Sequence, residues 1–311
     1  MNTLFQTMIP VFGLMTLGYL SARGRIIEEG GVGGLVMFVF TFSIPALLLA
    51  SVATLEVPSD IDWGFLIAFY AGSFATWGLG IFVGRVVFKR PLADQAIFGL
   101  GAAFSNLFLI GLPVVLTALG PQASFPMLVI IGFHSATFMP LTVILVQAGR
   151  SESGSVSSRV ASVLVDVLRN PVIIALAAGL VLNVAGVGFW PPVASLLDLL
   201  GSAAIPCALF ALGGSLHGYP IGGEAAPAIV LSGLKLVVHP WLVWLIAVPV
   251  MGLEGLPVAV AVLMAAMPSA VFVYLFGARY QAAPTVAART VLLTSVASFV
   301  TLSAVLTLLG V

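Results

Sequence analysis

The chain has 311 residues, of which 61% are hydrophobic and 7% are charged. This composition excludes a water-soluble enzyme, because soluble domains carry roughly a quarter charged residues. The formal net charge of zero leaves no basic face for nucleic acid, and the single cysteine, Cys207, excludes an internal disulfide and a multi-cysteine metal site. We therefore expect an all-α integral membrane protein in a lipid bilayer, with no cofactor, metal site or catalytic residue.

Apolar segments long enough to cross a bilayer core, roughly 20 residues each, recur along the whole sequence. The first follows Met1 without a preceding basic residue, so we expect a retained span rather than a cleaved signal peptide. Ten spans are predicted, near residues 3–20, 33–53, 63–88, 93–118, 122–147, 170–187, 192–215, 225–251, 256–278 and 286–310.

Basic residues alternate with these spans and predict their orientation. Of the 11 Lys and Arg residues, all but Lys235 follow spans one, three, five or nine, and the loops after spans two, four, six and eight contain none. The positive-inside rule assigns the basic loops to the cytoplasm, so both termini are expected on the extracytoplasmic side. The ten residues are Arg23, Arg25, Arg85, Lys89, Arg90, Arg150, Arg159, Arg169, Arg279 and Arg289.

Two short matches relate the halves of the chain. An Ile-Pro pair at 44–45 in span two recurs at 205–206 in span seven, 161 positions later. Polar or helix-breaking residues interrupt span four at Ser105 and span nine at Pro268, 163 positions apart. Five spans per copy force the second copy to enter the membrane upside down, which is an inverted repeat. We predict a first repeat at 1–148, a cytoplasmic linker at 149–166 and a second repeat at 167–311.

The two interruptions are the best indication of a binding site. Breaks at matching depth in two hydrophobic segments mark the site in many transporters, since non-helical backbone in a bilayer must line protein or a cavity. The first runs from Ser105-Asn106 to Gly111 and Pro113, and the second contains Pro268-Ser269.

These features together resemble the auxin efflux carrier family, which includes plant auxin exporters and bacterial carriers of organic acids such as malonate. The similarity rests on Asn106 with the Gly111-Leu112-Pro113 motif, on Met267-Pro268-Ser269, and on the Tyr274-Leu275-Phe276-Gly277 motif. Plant members commonly have proline immediately before the span-four asparagine, where this chain has Ser105. That difference predicts a softer break, or one displaced toward Gly111 and Pro113.

The resemblance implies two broken helices, four and nine, that cross near the membrane centre and hold the substrate. Spans three to five and eight to ten would form a mobile transport domain, and spans one, two, six and seven a scaffold with a dimer contact. It further implies elevator-type alternating access, a homodimer, and a place in the bacterial inner membrane.

Asn106 is the leading site candidate, because a mid-membrane amide can donate to a carboxylate. A helix restarting after it would direct its positive end at the same anion. The alternative is an ordinary hydrogen bond between helices. Ser105, Pro268 and Ser269 share this geometry, although prolines are common in membrane helices.

Three further residues are candidates for charge compensation or coupling. Lys235 lies inside span eight, where it could neutralise the substrate, replace a coupling ion or extend to the interface. His134 and His239 could relay a proton or form neutral interhelical hydrogen bonds.

The predicted function is secondary transport of a small organic anion, malonate-like or auxin-like. A channel or a membrane sensor on the same fold is the alternative. The residues do not decide between H+ coupling through His134 or Lys235 and Na+ coupling through hydroxyls and freed carbonyls around Ser105 and Ser269.

Overall fold

The computed structural model describes residues 2–55, 63–149, 165, 168–218 and 224–310. Within these ranges the regular structure is helical and contains no β-strand, which confirms the all-α class. The α-helices are α1 (Asn2–Arg23), α2 (Glu29–Phe38), α3 (Ile44–Ala53), α4 (Gly64–Val86), α5 (Leu92–Ala103), α6 (Leu112–Leu119), α7 (Ser124–Ala148), α8 (Pro171–Ala185), α9 (Pro191–Ser202), α10 (Ala204–His217), α11 (Ala225–Gly233), α12 (His239–Leu245), α13 (Leu256–Ala265), α14 (Val271–Arg279) and α15 (Pro284–Leu308).

Several of these helices are long and apolar enough to cross a membrane, which supports a multi-pass membrane protein. Six such segments occur among the described residues: Gly30–Ala53, Gly64–Val86, Pro121–Ala148, Pro191–His217, Ala225–Val250 and Pro284–Leu308. The arrangement as ten spans in an inverted repeat stays a prediction. The predicted linker at 149–166 lies outside the described residues, apart from Gly149 and Val165.

Turns of π-helix join some helices into longer rods, and each turn lies just before a proline or contains one. The turns cover Val39–Ser43, Leu107–Gly111, Leu234–Val238 and Ile246–Val250. The first three end just before Pro45, Pro113 and Pro240, and the fourth contains Pro249. Proline lacks an N–H group and its ring crowds the carbonyl four residues earlier, so the helix widens there by one residue.

The chain divides into two compact units. The smaller unit consists of Ile9–Ile61 and Leu164–Gly218, and the larger unit consists of Met1–Met8, Asp62–Val163 and Tyr219–Val311.

Close helix contacts through glycine characterise the smaller unit. A β-carbon on Gly213 of α10 would lie 1.9 Å from the Met15 carbonyl oxygen of α1, and one on Gly18 of α1 would lie 2.0 Å from that of Phe210. Helix backbones approach this closely only where side chains are absent. In the same unit, Asn183 of α8 donates from Nδ2 to the Leu55 carbonyl oxygen at 2.7 Å, which holds α8 against the end of α3.

The larger unit contains both interrupted helices, and its polar contacts bring three helix N-termini to one end. Arg90, just before α5, forms an ion pair with Glu224, just before α11. Asp94 in the first turn of α5 accepts a hydrogen bond from the Ala283 N–H at the start of α15, with 3.0 Å between N and Oδ1. These contacts hold the start of α5, the helix that leads to the first break, against the starts of α11 and α15.

Candidate functional site

Both predicted interruptions are present in the larger unit. Helix α5 ends at Ala103, and Phe104 is extended with φ −80° and ψ 103°. Helix α13 ends at Ala265, and the chain becomes helical again at Val271 after an extended Ala270 with φ −71° and ψ 151°. In the first segment the break lies at Phe104–Asn106, before Gly111, so the expected displacement toward Gly111 and Pro113 is wrong.

The two breaks pair with each other as a single antiparallel β-bridge, in which Ser105 faces Ser269. The Asn106 N–H donates to the Pro268 carbonyl oxygen at 2.8 Å, and the Ala270 N–H donates to that of Phe104 at 3.0 Å. A buried backbone without a helical partner must find another one, and each break supplies it to the other. We refer to residues 104–106 and 268–270 together as the crossing.

Asn106 is the N-cap of the helix that leaves the first break. Its Oδ1 accepts a hydrogen bond from the Leu109 N–H at 3.2 Å. The side chain is 4% exposed, and its Nδ2 has no hydrogen-bond partner among the described residues. Since the oxygen is engaged in capping, the two amide hydrogens remain available to a ligand at the positive end of a helix.

Ser105 is held by His134 of α7. The Ser105 N–H donates to His134 Nε2 at 3.0 Å, so Nε2 carries no proton and the neutral ring is protonated at Nδ1. Both residues are 2% exposed. Neither His134 Nδ1 nor Ser105 Oγ has a hydrogen-bond partner among the described residues. With the Asn106 amide, three buried polar groups at the first break can therefore still donate.

Ser269, on the second break, is fully bonded. Its N–H donates to Thr294 Oγ1 of α15 at 3.1 Å, and its Oγ donates to the Gly101 carbonyl oxygen of α5 at 2.7 Å. The second break therefore has the same type of backbone support as the first, with a hydroxyl in place of an imidazole. Ser269 is completely buried.

Lys235 is completely buried in the π-turn after α11, so it does not extend to an aqueous interface. Its Nζ donates to the Ala265 carbonyl oxygen at 2.6 Å and lies 3.0 Å from His239 Nδ1. Ala265 is the last residue of α13, so the Lys235 Nζ lies at the negative end of that helix, next to the second break.

His239 extends this network to α4. Its Nε2 lies 2.8 Å from Ser73 Oγ, which donates its hydrogen to the Phe69 carbonyl oxygen at 2.7 Å. Ser73 must therefore accept from His239 Nε2–H, which leaves Nδ1 free to accept from Lys235. The network consequently requires a neutral His239.

The remaining predicted site residues take supporting positions. Gly111 lies in the π-turn after Asn106, and a β-carbon there would meet Met264 Sδ of α13 at 3.2 Å. Pro113 is buried in the first turn of α6, beyond the crossing. Pro268 contributes its carbonyl oxygen to the bridge. The structure thus brings Ser105, Asn106, Pro268 and Ser269 together at the crossing, but not Pro113.

Several residues of this network were not predicted. Ser73 and Thr294 are small hydroxyl residues within apolar helices, and single hydroxyls are too common in membrane helices to be distinctive. Phe104, whose ring stacks on His134 with 4.6 Å between centroids, is one of 21 phenylalanines. Only the long-range packing of α4, α7 and α15 against the crossing identifies these residues.

The arrangement is suited to binding an anion rather than to covalent chemistry. Unpaired buried donors stabilise a carboxylate through charge-assisted hydrogen bonds. Among the described residues, no group of three or more His, Cys, Asp or Glu side chains could hold a metal ion.

Comparisons with known proteins agree with the membrane fold. The family model described as membrane transport protein matches residues 3–306. A "Putative malonate transporter" of Rhizobium meliloti (strain 1021) is 29% identical over 309 residues, which cover 97% of this chain and 94% of that protein. An "Uncharacterized transporter" of Methanothermobacter thermautotrophicus is 25% identical over 269 residues, 85% of each chain.

A shorter stretch of 115 residues, 36% of this chain, is 30% identical to 13% of the "Lysosomal cholesterol signaling protein" of Mus musculus. The family match extends over nearly the whole chain and confirms the resemblance to auxin efflux carriers that the sequence motifs indicate. The protein is therefore a transporter rather than an enzyme. The chain belongs to the membrane transport protein family, the family of the auxin efflux carriers.

Proposed function

We propose that the protein is a secondary transporter of small organic anions and that it binds the substrate carboxylate at the crossing. The observation that carries the proposal is the set of three buried groups at the first break that lack partners among the described residues: Ser105 Oγ, Asn106 Nδ2 and His134 Nδ1. A buried donor without a partner costs about 1–3 kcal/mol, so a carboxylate that accepts a hydrogen bond from such a group removes that cost.

Two positive features lie on either side of this site. The helix that starts after Asn106 directs its N-terminal dipole toward the first break. Lys235 donates a hydrogen bond at the end of α13, next to the second break, and we propose that it carries its positive charge there. Because Lys235 is already bonded to Ala265 and His239, we propose that it acts as a fixed internal cation at the crossing rather than as a direct ligand.

Malonate is the first substrate to test, because the name of one relative describes a malonate transporter.

The elevator mechanism is part of the proposal. The division of the chain into two compact units supports it, because the larger unit contains both breaks. The contacts among the N-termini of α5, α11 and α15 agree with the predicted alternation of spans, which puts all three at the same membrane face. The proposal that this face is cytoplasmic, with both chain termini outside, rests on the positive-inside rule. On the resemblance alone we propose a homodimer in the bacterial inner membrane.

Uptake into proteoliposomes tests this function. A panel of mono- and dicarboxylates is offered while pH, sodium and voltage gradients are imposed separately. The proposal expects saturable uptake of at least one small carboxylate, competed by its analogues, and no uptake of amines of similar size. Uptake that does not saturate, or that is equally fast for carboxylates and for amines of similar size, contradicts the proposal.

A further inference from the structure

The contact between His134 and Ser105 depends on the protonation state of the imidazole. Nε2 accepts the Ser105 N–H at 3.0 Å, which only an unprotonated ring nitrogen can do. An imidazolium carries hydrogens on both nitrogens, so Nε2–H would face the Ser105 N–H and the hydrogen bond would be lost. A proton on His134 therefore removes the support that holds Ser105 in the bridge.

The second break lacks this sensitivity. Its corresponding N–H, that of Ser269, is held by the Thr294 hydroxyl oxygen at 3.1 Å. A hydroxyl group does not titrate in the physiological range, whereas histidine does. The two breaks are thus supported in the same way, but only the first support contains a group that can take up a proton.

The surroundings of His134 determine when it can take up a proton. Its ring contacts the apolar rings of Phe104, Phe69 and Phe138, with centroid distances of 4.6, 5.7 and 5.3 Å. Lys235 and His239, of the segment from α11 to α12, interact electrostatically with it, and Tyr70 of α4 stacks on Phe138, one turn further along α7.

No described carboxylate lies among these neighbours. Helices α6 and α13 contain no titratable residue, and the carboxylate of α5, Asp94, lies at the far end of that helix, about 15 Å along its axis from Phe104. A positive charge on His134 therefore requires an anion that the described neighbours do not supply.

We propose that His134 is the proton-binding residue of this transporter, and that proton and substrate anion bind together and release the first break. This inference rests on the proposed anion site at the crossing. A proton from solvent adds to the Nε2 lone pair, and the Ser105 N–H···Nε2 hydrogen bond breaks. The negative charge of the carboxylate balances the positive charge of the imidazolium. By linkage, proton and anion each increase the affinity for the other by the same factor, on the order of 100-fold for charges in hydrogen-bond range.

The substitution that tests this role is His134→Gln. Glutamine retains an oxygen that can accept the Ser105 N–H but cannot take up a proton. Protein in proteoliposomes is given malonate with the membrane potential clamped, and a trapped pH indicator reports protons that enter with the labelled anion. The wild type is expected to move about one proton per malonate. Because His134 also belongs to the proposed anion site, His134→Gln is expected to exchange malonate more slowly than the wild type, and to move no protons with the malonate that it does exchange.

Thr294→Val is the matched control, because it removes the corresponding support from the second break without changing a titratable group. It is expected to slow transport while the proton-to-malonate ratio stays at the wild-type value. A His134→Gln protein that retains the wild-type ratio overturns the inference, as does a wild-type protein that moves malonate without protons.

A second measurement needs no transport and no variant in the test sample. The chain has three histidines, His134, His217 and His239, so 15N-histidine spectra contain few ring signals. Spectra of His134→Gln assign the signal of His134. At neutral pH we expect this ring to be neutral without ligand and charged with saturating malonate. A ring that stays neutral while malonate binds overturns the inference alone, whereas a protein that neither binds nor moves any acid of the panel overturns the proposed function.

Discussion

Replacement of Asn106 by serine separates the two roles that the structure gives to this side chain. Its Oδ1 caps the helix through Leu109, while its Nδ2 is a buried donor with no partner among the described residues. Serine is as good an N-cap as asparagine, so the cap is retained. The shorter side chain lacks the amide group, so the donor toward the substrate is lost.

The expected loss follows from one charge-assisted hydrogen bond. Such bonds to a charged group contribute about 1.5–3 kcal/mol. The affinity for malonate should therefore fall by about 10- to 150-fold. Because the cap is retained and an unpaired buried donor is removed, the variant should be at least as stable as the wild type.

Asn170→Ser is the matched control. Asn170 is the N-cap of α8 in the smaller unit, and its Oδ1 accepts the Val172 N–H at 2.9 Å. Asn170→Ser and Asn106→Ser make the same chemical change at the N-cap of a helix, but Asn170 does not belong to the crossing. Titration calorimetry on purified proteins gives the affinities, and thermal unfolding verifies the fold. If folded Asn106→Ser binds malonate as tightly as Asn170→Ser does, the assignment of the amide to the substrate is refuted.

Two further predictions concern stability, read from thermal unfolding in detergent. Ser269→Ala removes the 2.7 Å hydrogen bond to Gly101 and leaves that buried carbonyl unpaired, so it should cost about 1–3 kcal/mol, whereas Ser303→Ala at an exposed position of α15 should cost less than about 0.5 kcal/mol. Gly213→Ala places a β-carbon 1.9 Å from a backbone oxygen of α1 and should destabilise by at least about 1–3 kcal/mol, whereas Gly13→Ala meets nothing within 4 Å and should be neutral or stabilising. Equal unfolding temperatures within either pair would contradict these contacts.

The places where the helices break could be read from the sequence. Pro268 removes a backbone donor, and Ser105 and Asn106 compete for backbone hydrogen bonds, so both breaks follow from local chemistry. The departure from the proline found in plant members suggested a softer break, or one displaced toward Gly111 and Pro113, and the displacement was wrong. The β-bridge to the second break and the His134 contact stabilise an extended Ser105 without proline.

The partners within the site could not be read from the sequence. Lys235 and His239 are four residues apart on one helical face, so their contact was foreseeable. The Ala265 carbonyl that Lys235 binds and the Ser73 that binds His239 come from other helices, and helix packing alone decides which ones. The same holds for His134, which lies 29 residues after Ser105. A single sequence does not indicate which residues of different helices will form hydrogen bonds with each other.

Counterflow of labelled malonate in proteoliposomes tests most directly whether the crossing is the binding site of a carrier. Vesicles loaded with unlabelled malonate are diluted into a trace of labelled malonate, with no ion gradient. For the wild type we expect a transient accumulation of label above the outside concentration, and for Asn106→Ser a loss of that accumulation at the same protein density. Label that equilibrates without accumulation, as through a channel, or equal accumulation by both proteins, would contradict a carrier that binds anions at the crossing.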